Sequence, residues 1–336
     1  MENTFIANRA VISLSGGLDS TCLLLKLLAD GMQVRAYSFN YGQKHKVELR
    51  KVVKNIAFLQ KKGLPVTHQI IDLRDCFSDS ASSLHQGGEA IPEGHYADEN
   101  MKSTVVENRN IIFSAIIYGM ALGWANKDKE NVYITQGLHA GDHAIYPDCR
   151  PESQEMAREM YRISNWGIER VDFIAPFIHI DKGDVLIEGI NAMHKLYFTE
   201  DEIDYVLANT HTCYNPDPVG RSCGKCGSCT ERLEAFQKAG REDPIAYQSD
   251  GPLYEHQFKL QLCAGDYEEL DTRDVTVHSL NPNKENVFNS LQNDEDFYND
   301  AVEVLKEAHE EDHDIVNICV TGLEDDDFES HSIAEI

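Results

Sequence analysis

The stretch Val11-Ile12-Ser13-Leu14-Ser15-Gly16-Gly17-Leu18-Asp19-Ser20 constrains this chain more than any other. It reads as an apolar strand that runs into the turn SGGLDS and then into a helix from Ser20 to Leu28. Two adjacent glycines let the backbone bend sharply and leave no side chain to block a close approach. The bend points N–H groups outward at a helix N-terminus, where the partial charge is positive, and that suits a phosphate. Ser15 and Ser20 add hydroxyls. Asp19 has two roles open to it, capping the helix or holding a magnesium ion. An ordinary capped strand-turn-helix is the alternative. The common phosphate loop is excluded, because its G-x-x-x-x-G-K-[ST] lysine is missing from this turn.

A chain of 336 residues, 42% of them hydrophobic, is long enough for one large domain or two with a sizeable core. No apolar run reaches the roughly 18 residues of a membrane span. MENTFIANRA lacks a basic-then-apolar leader, so a cytoplasmic location is expected. From Arg241 onward there are 26 Asp+Glu against 5 Lys+Arg, so the last third of the chain carries most of the net charge of -27. Such a surface repels nucleic acid. Nine cysteines, an odd count in a chain without a leader, argue against a disulfide framework.

Strand and helix patterns alternate through the first two thirds. Strands are expected at Gln33 to Tyr41, Pro65 to Leu73, Asn131 to Leu138 and Asp172 to His179. Helices are expected at His45 to Lys61, Asn108 to Asn126, Lys182 to His194 and up to Gly240. Phe77 to Met101 reads as a polar insertion. This order predicts an α/β fold, a parallel sheet with helices on both faces and its ligand beyond the carboxyl ends of the strands. Past residue 250, Gln257 to Leu262, Val275 to Val277 and Ile315 to Thr321 look like strands. Asn293 to Glu310 looks like an acidic helix, and Glu324 to Asp327 like a solvated run. The tail therefore reads as a small α+β extension.

Several polar strings follow these strands. Tyr41-Gly42-Gln43-Lys44-His45 offers donors, or is a solvated loop. Glu107-Asn108-Arg109-Asn110 puts an arginine in a first helical turn, against the dipole, which an anionic ligand or solvent would explain. In Asp142 to Glu152, Pro147 and Pro151 stiffen a loop that holds Tyr146, Asp148, Cys149 and Arg150. Asp148 and Glu152 can accept hydrogen bonds from a guanidine-like edge, and Arg150 can pair with a carboxylate. Cys149 is a nucleophile or a buried filler. Lys182 reaches the same crevice, or is a surface charge.

Cys213, Cys223, Cys226 and Cys229 have the spacing C-x9-C-x2-C-x2-C. Two-residue gaps bend successive thiolates back onto one ion. Four sulfurs favour a closed tetrahedral zinc site, and an iron–sulfur cluster takes the same ligands.

SGGLDS resembles the loop of the ATP pyrophosphatase (PP-loop) superfamily, which splits ATP between the α and β phosphates. SGGLDS, YGQKH, NRN, YPDCRPE, a lysine after a strand and C-x9-CGKCGSC, in this order from Ala10 to Gln237, look like the QueC family of 7-cyano-7-deazaguanine synthases. The resemblance implies an adenine nucleotide alpha hydrolase-like fold. It also implies ATP-dependent conversion of 7-carboxy-7-deazaguanine, with ammonia, to 7-cyano-7-deazaguanine. It implies ATP and magnesium at Leu14, Ser15, Gly16, Gly17, Asp19 and Ser20. The substrate would lie at Arg109, Asn110, Asp142, Tyr146, Asp148 and Arg150. Asp19, Arg109, Asp148, Arg150 and Lys182 would carry the chemistry, and the four cysteines would hold structural zinc. Family members tend to be homodimers. The implied organisation is a PP-loop domain over 1–210, a zinc module over 211–240 and an acidic extension over 241–336.

Glu107 stands where the family usually has proline, Ala144-Ile145 replace Ser-Gly, and the acidic extension has no counterpart in a minimal enzyme. The extension suggests a protein partner. A rival expectation follows, because QueC-like proteins also occur in anti-phage systems such as type IV CBASS. There the activated deazaguanine would be joined to a protein amine.

Overall fold

In a computed structural model, the first strand, β1 (Arg9–Ser13), buries side chains on both of its faces. Ala10 and Ile12 join one core cluster and Val11 joins another, as the two-residue period of a strand requires. A strand covered on both faces belongs inside a parallel sheet. The structure describes residues 5–94, 99–264, 268–281, 283–291, 297, 301, 317–322 and 331–335. The chain divides into two units, Met1–Gln248 and Ser249–Ile336.

In the first unit β1 pairs with β2 (Gln33–Asn40) and β4 (Val132–Gln136). The edges are β3 (Val66–Asp72) and β5 (Val171–Ile174). The order is β3-β2-β1-β4-β5, and every pairing is parallel. One face packs on α1 (Leu18–Ala29), α2 (Val47–Lys61), α5 (Lys182–Lys195), α6 (Glu200–Ala208) and α7 (Gly227–Lys238). The other packs on α3 (Arg109–Asp128) and α4 (Pro151–Ser164). Each buried Leu or Ile contributes about 1.5–3 kcal/mol. Leu18, Leu23, Leu25 and Ile12 are fully inaccessible, so α1 and β1 lie in the middle of this core.

The chain leaves β1 for β2 on one side, and later returns to β4 on the other. The strand order therefore reverses beside β1, which opens a crevice at its carboxyl end. The SGGLDS turn sits at that switch point.

Most expected elements are present within a residue or two. The strand expected to reach His179 stops at Ile174, just ahead of Pro176, which has no N–H to give the ladder. The helices α4 and α6 are additional to the expected elements. Both carry start signals: Pro151 in the first turn of α4 and a capping box at α6, where Thr199 and Glu202 exchange hydrogen bonds of 2.9 and 3.3 Å. Within the insertion, Leu84 is buried and Lys44 N donates to its carbonyl, which ties this segment to the loop after β2.

The second unit is an antiparallel sheet in the order β7-β6-β8-β9, from β6 (Tyr254–Ala264), β7 (Glu268–Ser279), β8 (Asn317–Gly322) and β9 (His331–Glu335). With α8 (Lys284–Leu291) it forms the expected α+β extension. Phe258, Leu260, Val287, Phe288 and Leu291 give it a core of its own. The expected helix Asn293 to Glu310, residues 297 and 301 apart, and the run Glu324 to Asp327 lie outside the described residues. Among the described residues no helix is long and apolar enough to cross a membrane.

Candidate active site

The turn between β1 and α1 is built for a backbone-lined hollow. Gly16 has φ +88°, and a Cβ there would come within 2.5 Å of the Glu48 carbonyl oxygen. Only glycine fits. Gly17 N donates to Ser15 Oγ at 3.1 Å, and Ser15 Oγ lies 3.0 Å from Ser20 Oγ. A Cβ on Gly137, after β4, would meet Ser20 N and Cα at 2.8 Å, so that strand end presses on the first turn of α1. Asp19 is in this turn, but its side chain does not cap the helix. Its Oδ1 is buried without a partner among the described residues.

Carboxylates and a lysine gather on one flank. Lys182, at the start of α5, is 4% exposed, with Nζ 2.6 Å from Glu231 Oε2 and 3.4 Å from Asp19 Oδ2. Burial pulls its pKa down, but Asp19, Glu231 and Asp142 outweigh that and raise it, so the ammonium stays charged. His139 Nδ1 accepts from Gly141 N at 3.1 Å. Its Nε2 therefore bears the proton and sits 3.7 Å from Asp19 and 3.6 Å from Asp142, too far to bond to either. Burial raises the Asp142 pKa against the opposing pull of His139 and Lys182.

Across the crevice, Arg109 begins α3 directly after Asn108, whose φ of 55° is left-handed. Its guanidinium donates to Tyr41 Oη at 3.1 Å and to Asn110 Oδ1 at 3.2 Å. Among the described residues no carboxylate pairs with it. Glu48 lines the same cleft, bound by Gln43 Nε2 at 2.9 Å. Burial lifts the Glu48 pKa to about 8 and, with the charge of Arg109, lowers that of His45 to about 3. Tyr146 Oη meets Thr104 Oγ1 at 2.8 Å and Tyr214 Oη at 3.3 Å.

The cleft brings together Ser15, Gly17, Asp19, Ser20, Arg109, Asn110, Asp142, Tyr146 and Lys182. Leu14 and Gly16 stand behind its wall, and Leu14 is core. Asp148 and Arg150 are not among the lining residues: the Asp148 carbonyl accepts from Gln154, and the exposed Arg150 donates to His143 O at 2.8 Å. Cys149 lines the cleft in their place. Burial, reinforced by Asp142 and Asp148, raises its pKa, so it is a thiol rather than a thiolate. Glu107 accepts from Ser80 Oγ at 2.7 Å and is not a lining residue, while Ile145 packs with Met101, Leu138 and Tyr146. Glu48, Gln136, His139 and Glu231 escaped the sequence reading. The rule on strand ends could have found Gln136 and His139, which close and follow β4.

The four cysteine sulfurs lie within 4.8 Å of one another. Asn215 N and Cys223 N donate to Cys213 Sγ at 3.3 and 3.2 Å, and Lys225 N and Cys226 N to Cys223 Sγ at 3.4 Å. Converging sulfurs ringed by amide donors fit thiolates on one soft cation. His211 is not needed as a ligand, since its Nε2 donates to Cys213 O at 2.8 Å. The module adjoins the cleft, which Tyr214 and Ser228 help to line.

Residues 9–240 match the family model described as "Queuosine biosynthesis protein QueC". The chain belongs to the QueC family. It is 41% identical over 246 residues to a 7-cyano-7-deazaguanine synthase of Marinomonas sp. (strain MWYL1), covering 73% of this chain and 100% of that protein. Similar matches are the 7-cyano-7-deazaguanine synthases of Hahella chejuensis, 43% identical over 74% of this chain and 96% of the relative, and of Methanoregula boonei, 40% identical over 71% and 99%. The QueC match ends before the second unit begins.

Proposed function

We propose that this QueC-family chain uses ATP to adenylate the carboxylate of 7-carboxy-7-deazaguanine, and that ammonia then displaces AMP. The first round gives the amide, and a second adenylation and elimination gives 7-cyano-7-deazaguanine. The names of the relatives, 7-cyano-7-deazaguanine synthases, support the product. One observation carries the chemistry. A glycine turn at a helix N-terminus, the buried ammonium of Lys182 and Arg109, a guanidinium without a carboxylate partner among the described residues, face a single cleft.

In this reading Arg109 grips the substrate carboxylate, whose oxygen attacks the α-phosphate. The N–H groups of the turn and Lys182 stabilise the departing pyrophosphate. Asp19, with one oxygen unpartnered among the described residues, would hold the magnesium ion, which supplies charge neutralisation to the phosphates. The four cysteines would hold zinc in a closed, structural shell that keeps Tyr214 and Ser228 against the cleft. The test is to incubate the protein with the carboxylate, ATP and ammonium and to follow AMP and the nitrile by mass spectrometry. Absence of AMP would refute the reading.

The second unit favours an alternative outcome for the same adenylate. It has its own core, lies beyond the family match and belongs to the acidic third of the chain. Those features suit a protein partner, with the activated deazaguanine joined to a protein amine as in anti-phage conjugation. AMP without nitrile, together with a mass increase on a protein amine, would select this version.

A further inference from the structure

We propose that Glu48, with His45, forms the ammonium site of the cleft and takes the proton that converts ammonium into the attacking ammonia. The inference rests on the adenylation reading above. It starts from a carboxylate that is fixed in place. Glu48 is 7% exposed and lines the cleft. Its Oε1 accepts from Gln43 Nε2 at 2.9 Å. Gln43 is fully buried and locked in turn, with Nε2 donating to Phe39 O at 3.1 Å and Oε1 accepting from Tyr41 N at 2.9 Å.

His45 lines the same cleft at 4% exposure, and its Nδ1 is buried without a partner among the described residues. Its Nε2 lies 3.8 Å from Glu48 Oε1, beyond hydrogen-bond reach. A carboxylate and a neutral imidazole that leave each other unbonded can both accept from one small cationic donor beside them in the cleft. Burial also keeps the carboxyl basic enough to hold a proton near neutral pH, the condition an efficient general base requires.

Position completes the case. The Glu48 carbonyl abuts Gly16 of the phosphate-binding turn, and Arg109, the proposed carboxylate grip, faces the same cleft. Ammonia released here is beside the adenylated carboxyl group. One N–H bond of ammonium breaks and its proton passes to Glu48. The nitrogen lone pair attacks the acyl carbon, the C–O bond to AMP breaks, and AMP leaves with that electron pair. The surplus proton on nitrogen goes to the departing phosphate.

The experiment uses the full chain and Glu48→Gln in three assays: carboxylate-dependent ATP–pyrophosphate exchange, product formation with ammonium chloride, and hydroxamate formation with hydroxylamine. Hydroxylamine is uncharged at neutral pH and needs no deprotonation. The expected result is that exchange persists and ammonium-dependent product falls by about 10²-fold, while hydroxamate formation falls far less. Equal loss with both nucleophiles, or an unchanged ammonium rate, overturns the proposal. If Glu48→Gln does not fold, Glu48→Asp must show the same discrimination against ammonium. Absence of exchange in the unmodified chain sinks the adenylation reading and this proposal with it, whereas exchange with equal loss sinks this proposal alone.

Discussion

Lys182 Nζ lies 3.4 Å from Asp19 Oδ2, although the two residues open different helices, α5 and α1. Glu231 holds the same ammonium at 2.6 Å from a third helix, α7. The charge is thus fixed beside the SGGLDS turn before any ligand arrives, the preorganisation that a leaving pyrophosphate would need under the proposed function. Lys182→Met is expected to lower pyrophosphate exchange by about 10²–10³-fold. It also leaves Asp19, Glu231 and Asp142 without their cation, so a loss of about 3–5 kcal/mol in urea unfolding is expected at neutral pH. Unchanged exchange in the folded variant would remove Lys182 from the mechanism.

The turn and the cysteine knuckle were legible in the sequence because each is local: glycine pairs and two-residue gaps leave few other conformations. Lys182 was legible because it follows a strand, where ligands of parallel sheets collect. Glu231 was not, since only the packing of α7 against α5 carries it to the lysine. Glu48 looks like an ordinary acid in a first helical turn until its burial is known. In the loop Tyr146-Pro147-Asp148-Cys149-Arg150, Tyr146 and Cys149 are three residues apart, so a 3-10 turn puts them on one side, facing the cleft. Asp148 and Arg150 fall on the other side, a partition that composition alone does not reveal.

Gly16→Ala tests the turn itself. The residue needs φ +88°, and the new methyl would stand 2.5 Å from a backbone oxygen, which cannot rotate away. A destabilisation of about 1–3 kcal/mol is expected from the urea midpoint, with loss of nucleotide-dependent thermal stabilisation. A variant that keeps full stabilisation by ATP would show that the nucleotide does not use this bend.

The cysteine shell predicts about one zinc per chain, as expected for a closed four-thiolate site. Cys226→Ser should lose the metal by elemental analysis. Because α7 starts at Gly227, Ser228 and Glu231 should lose their positions as well. Lower thermal stability and lower pyrophosphate exchange are therefore expected together. Iron in the purified protein would overturn the zinc assignment.

Two buried groups give the cleft opposite pH slopes. Burial lifts Glu48 from its ordinary 4.5 to about 8, so the unfolded chain releases this proton first, and Glu48 makes stability fall between those values as pH rises. Burial, with Arg109, lowers His45 from 6.5 to about 3, so the unfolded chain binds that proton first, and His45 makes stability fall as pH drops through that window. Glu48→Gln has no carboxyl to ionise. Its stability relative to the unmodified chain should therefore rise from pH 5 to pH 8, by no more than a few kcal/mol. A difference independent of pH would mean that Glu48 titrates normally.

Asp243 sets where the first unit can be cut. Arg232 is fully buried on α7 and donates to both oxygens of Asp243, at 2.7 and 2.9 Å, as well as to Thr210 at 2.8 Å. Tyr247 Oη donates to the same carboxylate at 2.8 Å, and Ser222 bonds the segment through Ala246 and Gln248. The chain from Met1 to Gln248 keeps all of these partners. It is expected to unfold cooperatively and to retain pyrophosphate exchange. A chain ending at Gly240 keeps Arg232 but loses Asp243, leaving a guanidinium buried in the core without its counterion. Breaking a buried pair in this way costs about 3–5 kcal/mol, a large share of what holds a domain together. Urea unfolding of the two fragments side by side checks this, and equal midpoints would mean that Asp243 is dispensable to the first unit.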